Sequence, residues 1–251
     1  MSFENKVVLV TGGSAGIGAA TAVLFAKEGA SVAIVGRNEA RLKTVTEQCQ
    51  AHGVTPLIIK ADVSQDKAAS EIINKTIEKF GKLDVLINNA GIVAQGGLLD
   101  ADLMKNYDNV MNINLRAVVN LTNEAVPYLV KSKGNVINIS STAGSQADPW
   151  LMAYCISKAG LESFSKTAAL ELAASGVRVN IVSPGPVETD ILETAGMPVM
   201  WEIWGKHAPL GKVAYPDEVA DVILFLASDK AKSITGANFT IDNGELLKTG
   251  H

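Results

Sequence analysis

Three side chains of this sequence are spaced for proton transfer. Tyr154 and Lys158 stand four residues apart in Tyr154-Cys155-Ile156-Ser157-Lys158, so on a helix they share a face. A free tyrosine has a pKa of about 10, too high for acid–base work at neutral pH. A nearby ammonium favours the phenolate, and an opposite charge lowers a pKa by roughly 1–3. That moves Tyr154 towards the range where general acid–base catalysis works best. A Tyr–Lys pair alone also describes a surface aromatic beside a snorkelling lysine. Ser141 adds weight. It lies thirteen residues upstream in Asn138-Ile139-Ser140-Ser141, at the carboxyl end of an apolar, β-branched run.

A second constellation binds rather than reacts. Thr11-Gly12-Gly13-Ser14-Ala15-Gly16-Ile17-Gly18 follows the first apolar run and leads into Ala19 to Ala26. Glycines let a backbone turn tightly and approach a phosphate. The helix N-terminus that follows offers free N–H groups and a positive dipole end to a pyrophosphate. The spacing is G-x-x-x-G-x-G, not the usual G-x-G-x-x-G. Tight strand–helix packing would use the same residues, but the strand–turn–helix context favours a dinucleotide. Gly12, Ser14, Gly16, Ile17 and Gly18 are the expected contacts. No Gly-Lys-Ser/Thr follows, so this is not a P-loop. The second apolar run closes Ile34-Val35-Gly36-Arg37-Asn38. An acid there would bind a ribose 2′-hydroxyl, whereas an arginine accommodates a 2′-phosphate. With Arg37 and Asn38 in place, NADP(H) is expected ahead of NAD(H), although Ala15 stands where a second base would have helped.

The elements that position these groups are legible. Short apolar runs lie at 6–10, 31–35, 55–59, 84–88, 135–139, 178–182 and 237–241, with helix-period stretches between them. Near-continuous hydrophobic strands suit a parallel sheet covered on both faces. Strand–helix units of about 30 residues predict a doubly wound α/β sheet of Rossmann type, about seven parallel strands in one domain over 1–251. Two long helices are expected over Asp102–Val130 and Leu151–Ala174. The stretch from Pro184 to Pro216 is the least regular and holds five prolines. It follows a strand, where ligands of such sheets bind, so residues 186–215 are a candidate lid.

Composition removes several classes. The 251 residues carry 22 Lys and Arg against 26 Asp and Glu, a net charge of −4, which argues against a nucleic-acid partner. Cys49 and Cys155 form no Cys-x-x-Cys, and His52, His207 and His251 lie far apart, so no metal site is expected. The uncharged run from Val7 to Ala26 is long enough for a bilayer, but its glycines fit strand, turn and helix better. The N-terminus lacks the marks of a signal peptide, and a cytoplasmic protein is expected.

Taken in order, the motifs resemble those of the classical short-chain dehydrogenases/reductases over essentially the whole chain. They are Thr11 to Gly18; Asp62-Val63; Asn88-Asn89-Ala90-Gly91; Asn114 in Asn112-Ile113-Asn114-Leu115; Ser141; Tyr154 with Lys158; and Pro184-Gly185 with Thr189. The resemblance implies that Tyr154 exchanges a proton with the substrate oxygen while Ser141 hydrogen-bonds it. It implies that Lys158 lowers the Tyr154 pKa and holds the nicotinamide ribose. Asn114 would hold a water linking Lys158 to solvent. Asp62 and Val63 would meet adenine, Asn89, Ala90 and Gly91 would line the cofactor cleft, and Pro184, Gly185, Val187 and Thr189 would surround the nicotinamide amide. Blander roles exist: a satisfied helix polar group for Asn114, a helix cap for Thr189, turn formers for Asn88 and Asn89. Asp242-Asn243-Gly244 departs from the family's frequent Asp-Gly-Gly, but asparagine tolerates the left-handed region.

The expected activity is hydride transfer between NADP(H) and a carbonyl or secondary alcohol. Trp150, Met197, Trp201 and Trp204 are candidate walls for a bulky apolar ketone, or else surfaces of an ordinary packed helix. A 3-oxoacyl-thioester reductase is the alternative, though Arg116 and Arg178 are the only arginines outside the cofactor corner to receive an acidic carrier protein. A catalytically idle NADP(H)-binding sensor is the alternative of another class. The apolar surface of the two long helices, together with the resemblance, implies a homo-oligomer, a dimer or tetramer.

Overall fold

The computed structural model describes residues 2–247, so His251 lies outside the described residues. Seven strands form one parallel sheet: β1 Val7–Thr11, β2 Ser31–Gly36, β3 Leu57–Lys60, β4 Val85–Asn88, β5 Asn135–Ile139, β6 Arg178–Pro184 and β7 Asn238–Ile241. Their order is β3-β2-β1-β4-β5-β6-β7, so it reverses between β1 and β4. That reversal opens a crevice at the carboxyl ends of the strands. Each strand falls within two residues of the run that announced it.

Strand alternation divides the core between the two faces. Val8 and Val10 of β1 pack with Ala22 and Phe25 of α1 (Gly16–Lys27), Leu42 and Val45 of α2 (Glu39–Gln50), and Ile223 of α9 (Pro216–Ala227). Val7 and Leu9 face the other way. They join Ile72 and Ile73 of α3 (Ala68–Phe80), Leu121 and Leu129 of α5 (Ala117–Ser132) and Ala168 and Leu172 of α6 (Met152–Leu172). A buried polar ladder then ties β4, β5 and α6 together beneath the crevice. Asn88 Nδ2 donates to Asn138 Oδ1 at 2.8 Å, and Asn138 Nδ2 donates to Ser165 Oγ at 2.7 Å.

The helix expected over Asp102–Val130 is not continuous. α4 (Leu103–Met111) passes into a π-helical turn at Asn112–Arg116, and α5 resumes the α-helical path. Apolar periodicity does not reveal such a turn, because its cost is local and it serves placement rather than packing. Its effect is to bury the Asn114 side chain against the crevice.

The proline-rich stretch contains two short helices, α7 (Ile191–Thr194) and α8 (Trp201–His207). Its ends are pinned together. Glu188 N–H donates to the Ala214 carbonyl at 2.9 Å and Ala214 N–H to the Pro186 carbonyl at 3.1 Å. It is therefore a loop with a closed neck, the form of a compact Ω-loop on a larger scale. Among the described residues, no helix is long and apolar enough to cross a membrane.

Candidate active site

The glycine turn is held from behind by β4. Thr11 Oγ1 accepts the backbone N–H groups of Asn89 and Ala90 at 3.0 and 3.1 Å, and Asn89 Nδ2 donates to the Thr11 carbonyl at 2.9 Å. Gly12 has φ +63°, and a Cβ there would stand 2.9 Å from the Ala90 Cα. The backbone alone fits this turn, which leaves its outer side open. Gly18 lies deeper. Its missing Cβ makes room for the Gly12 carbonyl and the Asn89 side chain, both 2.4 Å from where a Cβ would be. Gly18 thus shapes the turn from within α1 rather than walling the crevice.

The crevice encloses about 550 Å³. Gly12, Ser14, Gly16 and Ile17 form one end of its wall, with Arg37, Asp62 and Val63 beside them. Asn89, Ala90 and Gly91 line it too, as do Pro184, Gly185, Val187 and Thr189, and Ser141, Tyr154 and Lys158 also reach it. Asn38 does not belong to the wall. It caps α2, its Oδ1 accepting the Arg41 N–H at 3.0 Å, because the first turn of a helix needs an acceptor.

Arg37 is exposed and lies 3.6 Å from the Asp62 carboxylate. Burial tends to raise the Asp62 carboxyl, but the Ser64 amide and the Arg37 guanidinium outweigh it and hold the group below its usual range. Arg41 lines the same corner and pairs with Asp190, a contact absent from the expected set. Its signal was present: Arg37 and Arg41 are four residues apart at the opening of α2.

Ser141 stands at the N-cap of a 3-10 turn, Thr142–Gly144, and its Oγ accepts the Ala143 N–H at 3.2 Å. That leaves its proton to face the Tyr154 phenol. Burial pushes the Tyr154 phenol above its ordinary range, against a downward pull from the Ser141 hydrogen bond. Lys158 is 4% exposed. Its Nζ lies 5.5 Å from the centre of the Tyr154 ring and donates to the Ile139 carbonyl at 2.8 Å. Burial pushes its ammonium down to about 8, opposed by the Glu162 carboxylate. One ammonium proton goes to a backbone carbonyl, and burial is the largest influence on both groups. The positive charge beside the ring still favours the phenolate over what burial alone would give.

Asn114 spends both amide protons and one of its oxygen's two lone pairs. Its Oδ1 accepts the Ile92 N–H at 2.9 Å, and its Nδ2 donates to the Ile92 carbonyl at 2.8 Å and to Ser157 Oγ at 3.1 Å. A Cβ on Gly91 would stand 3.4 Å from Asn114 Oδ1 and 3.6 Å from Lys158 Nζ. One glycine thus separates the two groups.

The four expected substrate-wall residues stand elsewhere. Trp150 is 71% exposed. Trp201 and Trp204 meet edge to face with ring centres 5.3 Å apart, and neither they nor Met197 line the crevice. The lid contributes Ile191 and Thr194 from α7, and Ala195 just after it, instead. Spacing placed the aromatic stripe on one helix face, but α8 contributes no residue to the crevice wall.

The fold is that of known enzymes. A family model described as enoyl-(acyl carrier protein) reductase matches residues 12–245. The 3-oxoacyl-(acyl-carrier-protein) reductase FabG of Thermotoga maritima is 39% identical over 250 residues, 98% of this chain and all of its own. The chain belongs to the short-chain dehydrogenase/reductase family. It is an oxidoreductase of the kind acting on CH–OH donors, and members of this family bind a nicotinamide cofactor. A short-chain dehydrogenase/reductase of unknown function from Caenorhabditis elegans, solved with cofactor, superposes with a TM-score of 0.94 at 38% identity, over 99% of this chain and 97% of that one. The 2,5-dichloro-2,5-cyclohexadiene-1,4-diol dehydrogenase LinX of Sphingobium indicum is 40% identical over 96% of each chain.

Proposed function

We propose that this chain is an NADP(H)-linked carbonyl reductase, running also as a secondary-alcohol dehydrogenase, with Ser141, Tyr154 and Lys158 as its catalytic residues. The observation that carries the reading is the meeting of Ser141 and Tyr154 in the crevice wall, with the Lys158 ammonium 5.5 Å from the Tyr154 ring. Gly12, Ser14, Gly16 and Ile17 would cradle the pyrophosphate, since a side chain at Gly12 would collide with Ala90. Arg37 would take the 2′-phosphate through its planar fork, drawing away from Asp62. Asp62 and Val63 would meet the adenine, and Pro184, Gly185, Val187 and Thr189 the nicotinamide amide. Bound there, the nicotinamide supplies or accepts the hydride.

The protein's own share is proton and charge. In reduction, the Tyr154 phenol gives its proton to the carbonyl oxygen as negative charge gathers on it. Ser141 donates its hydrogen bond to the same oxygen, and its fixed turn means little reorganisation is needed. Lys158 places a buried positive charge behind the phenolate left at Tyr154. Asn114, one glycine away, holds the Ile92 backbone in register and offers the next acceptor on the path from Lys158 outwards.

The segment 186–215 serves as the lid, and the apolar side chains of α7 favour a bulky ketone. The 3-oxoacyl-thioester alternative rests on the likeness to FabG. Against it, Arg116 is paired with Asp66, and Arg178 is committed to the carbonyls of Leu226 and Ile234 at 2.8 and 3.1 Å. Neither is free to meet an acidic carrier. A larger groove of about 890 Å³ between α4, α5 and α6, with Leu115, Val126 and Phe164 in its wall, includes none of the proposed catalytic or cofactor-binding residues. It is the face proposed to pair with a second copy. Oxidation of NADPH and of NADH with small diketones, quinones, steroid ketones and an acyl thioester tests the reading. Turnover with NADPH on a bulky ketone supports it, and turnover confined to the thioester or to NADH overturns its specific form.

A further inference from the structure

One buried charge has no part in the chemistry described so far. Glu162 is 7% exposed, and burying a carboxylate is costly unless it is paired and hydrogen-bonded. Its partners come from three separate elements that meet at the active site. Its Oε1 accepts the Ser140 hydroxyl at 3.1 Å, from the end of β5, and the Ser183 hydroxyl at 3.3 Å, from the end of β6. The third element is the 3-10 turn after Ser141. A Cβ on Gly144 would lie 2.4 Å from Glu162 Oε1, so the glycine leaves room for the carboxylate to seat beneath that turn. Glu162 also follows Lys158 by four residues on α6, on the same face. From the geometry we infer that Glu162 is a positioning residue, which supplies the counter-charge of Lys158 and braces the turn that aims the Ser141 hydroxyl at Tyr154.

This inference rests on the reading of Ser141, Tyr154 and Lys158 as the catalytic set. Few other groups compete for the role. Tyr154, on the same helix, also stands beside Lys158. The charged groups of the neighbouring elements are engaged elsewhere: Arg116 of the π turn pairs with Asp66, and Arg178 of β6 donates to the Leu226 and Ile234 carbonyls. The two carboxylates of the crevice wall, Asp62 and Asp190, are engaged with Arg37 and Arg41. A carboxylate in that position raises the proton affinity of the lysine.

The test reads Lys158 directly, in the protein without cofactor, through the pH midpoint of its side-chain ¹³C resonance, assigned with Lys158→Arg. Glu162→Gln keeps the shape and removes the charge. Its midpoint is expected about one pH lower than that of the wild type, as removal of a single nearby charge predicts. Glu162→Asp keeps the charge but withdraws it by one methylene. Its midpoint is expected to stay near the wild-type value while kcat falls about tenfold, because the brace under the Ser141 turn is lost. An unchanged midpoint in a folded Glu162→Gln protein overturns the inference, as does an equal drop in both variants. If Glu162→Gln does not fold, the wild type decides. The Glu162 carboxyl resonance must show an inflection at the pH where Lys158 titrates, and a flat trace there overturns the proposal. Tyr154→Phe serves as the separate control: full activity in that variant removes the catalytic set itself, whatever Glu162 does.

Discussion

The Lys158 ammonium stands 5.5 Å from the Tyr154 ring yet gives its hydrogen bond to the Ile139 carbonyl, at 2.8 Å. Both groups are shaped mainly by burial. The phenol is pushed up and the ammonium down to about 8. Neutral pH therefore finds the phenol holding its proton and the lysine still charged, the arrangement that reduction needs.

The buried lysine has a consequence for stability. In the unfolded chain it keeps its proton up to about 10.4, whereas in the folded protein it releases it near 8. Between these values the unfolded state binds more protons, so rising pH favours the folded state. Below about 8 both states are charged and the full cost of burial is present. The stability of the wild type relative to Lys158→Met is expected to rise between pH 8 and pH 10.5, on the order of 3 kcal/mol in all. Urea denaturation of both proteins across that range measures it, and a flat difference would contradict it.

Arg37 should decide between the two dinucleotides. Its exposed guanidinium has Asp62 as its only ion-pair partner among the described residues, at 3.6 Å. Arg37→Ala is expected to weaken NADPH binding by about 10- to 100-fold, as loss of a charge-assisted hydrogen bond of about 1.5–3 kcal/mol implies. NADH binding should change by less than about twofold. Titration calorimetry with each nucleotide separates the cases. Equal losses would mean that Arg37 does not read the 2′-phosphate.

The Arg41–Asp190 pair fastens α2 to the start of α7. Exposed pairs contribute about 0.2–1 kcal/mol. Asp190→Asn should therefore speed proteolytic cleavage within 191–210 by about two- to fivefold, leaving global stability almost untouched. If cleavage there is unchanged, the pair does not restrain the lid.

Asn243 occupies the left-handed region with φ +55°, and its carbonyl accepts the Leu210 N–H at 3.2 Å. Asn243→Ala is expected to cost about 1–2 kcal/mol in thermal or chemical denaturation, whereas Asn243→Gly should be nearly neutral. A neutral alanine would show that the turn is not held in that conformation.

Much of this structure was legible because its signals are local. Strands buried on both faces announce themselves as apolar runs, and the glycine turn sits where β1 must end. Asn243 kept the left-handed turn that Asp-Gly-Gly relatives form with glycine. What stayed hidden depends on distant partners. Nothing in Asn112-Ile113-Asn114-Leu115 marks a π turn, because its register is set by packing against Ile92 and Ser157. Asn38 reads equally well as ligand or cap, and only the N–H of Arg41 decides. The Trp201 and Trp204 stripe has helical spacing, but spacing does not say which side of a lid helix looks inward. The fall of the Lys158 pKa needed the depth of the crevice, which no pairwise spacing contains.

The most direct test is Tyr154→Phe, assayed by NADPH oxidation with the ketone that the wild type reduces best, beside calorimetric titration with NADPH. The phenyl ring fills the same space and lacks only the proton. Turnover is expected to fall by at least about 100-fold, the usual contribution of a positioned acid, with nucleotide affinity unchanged within about twofold. A variant that still reduces the ketone within a few-fold of the wild-type rate would show that the proton comes from elsewhere.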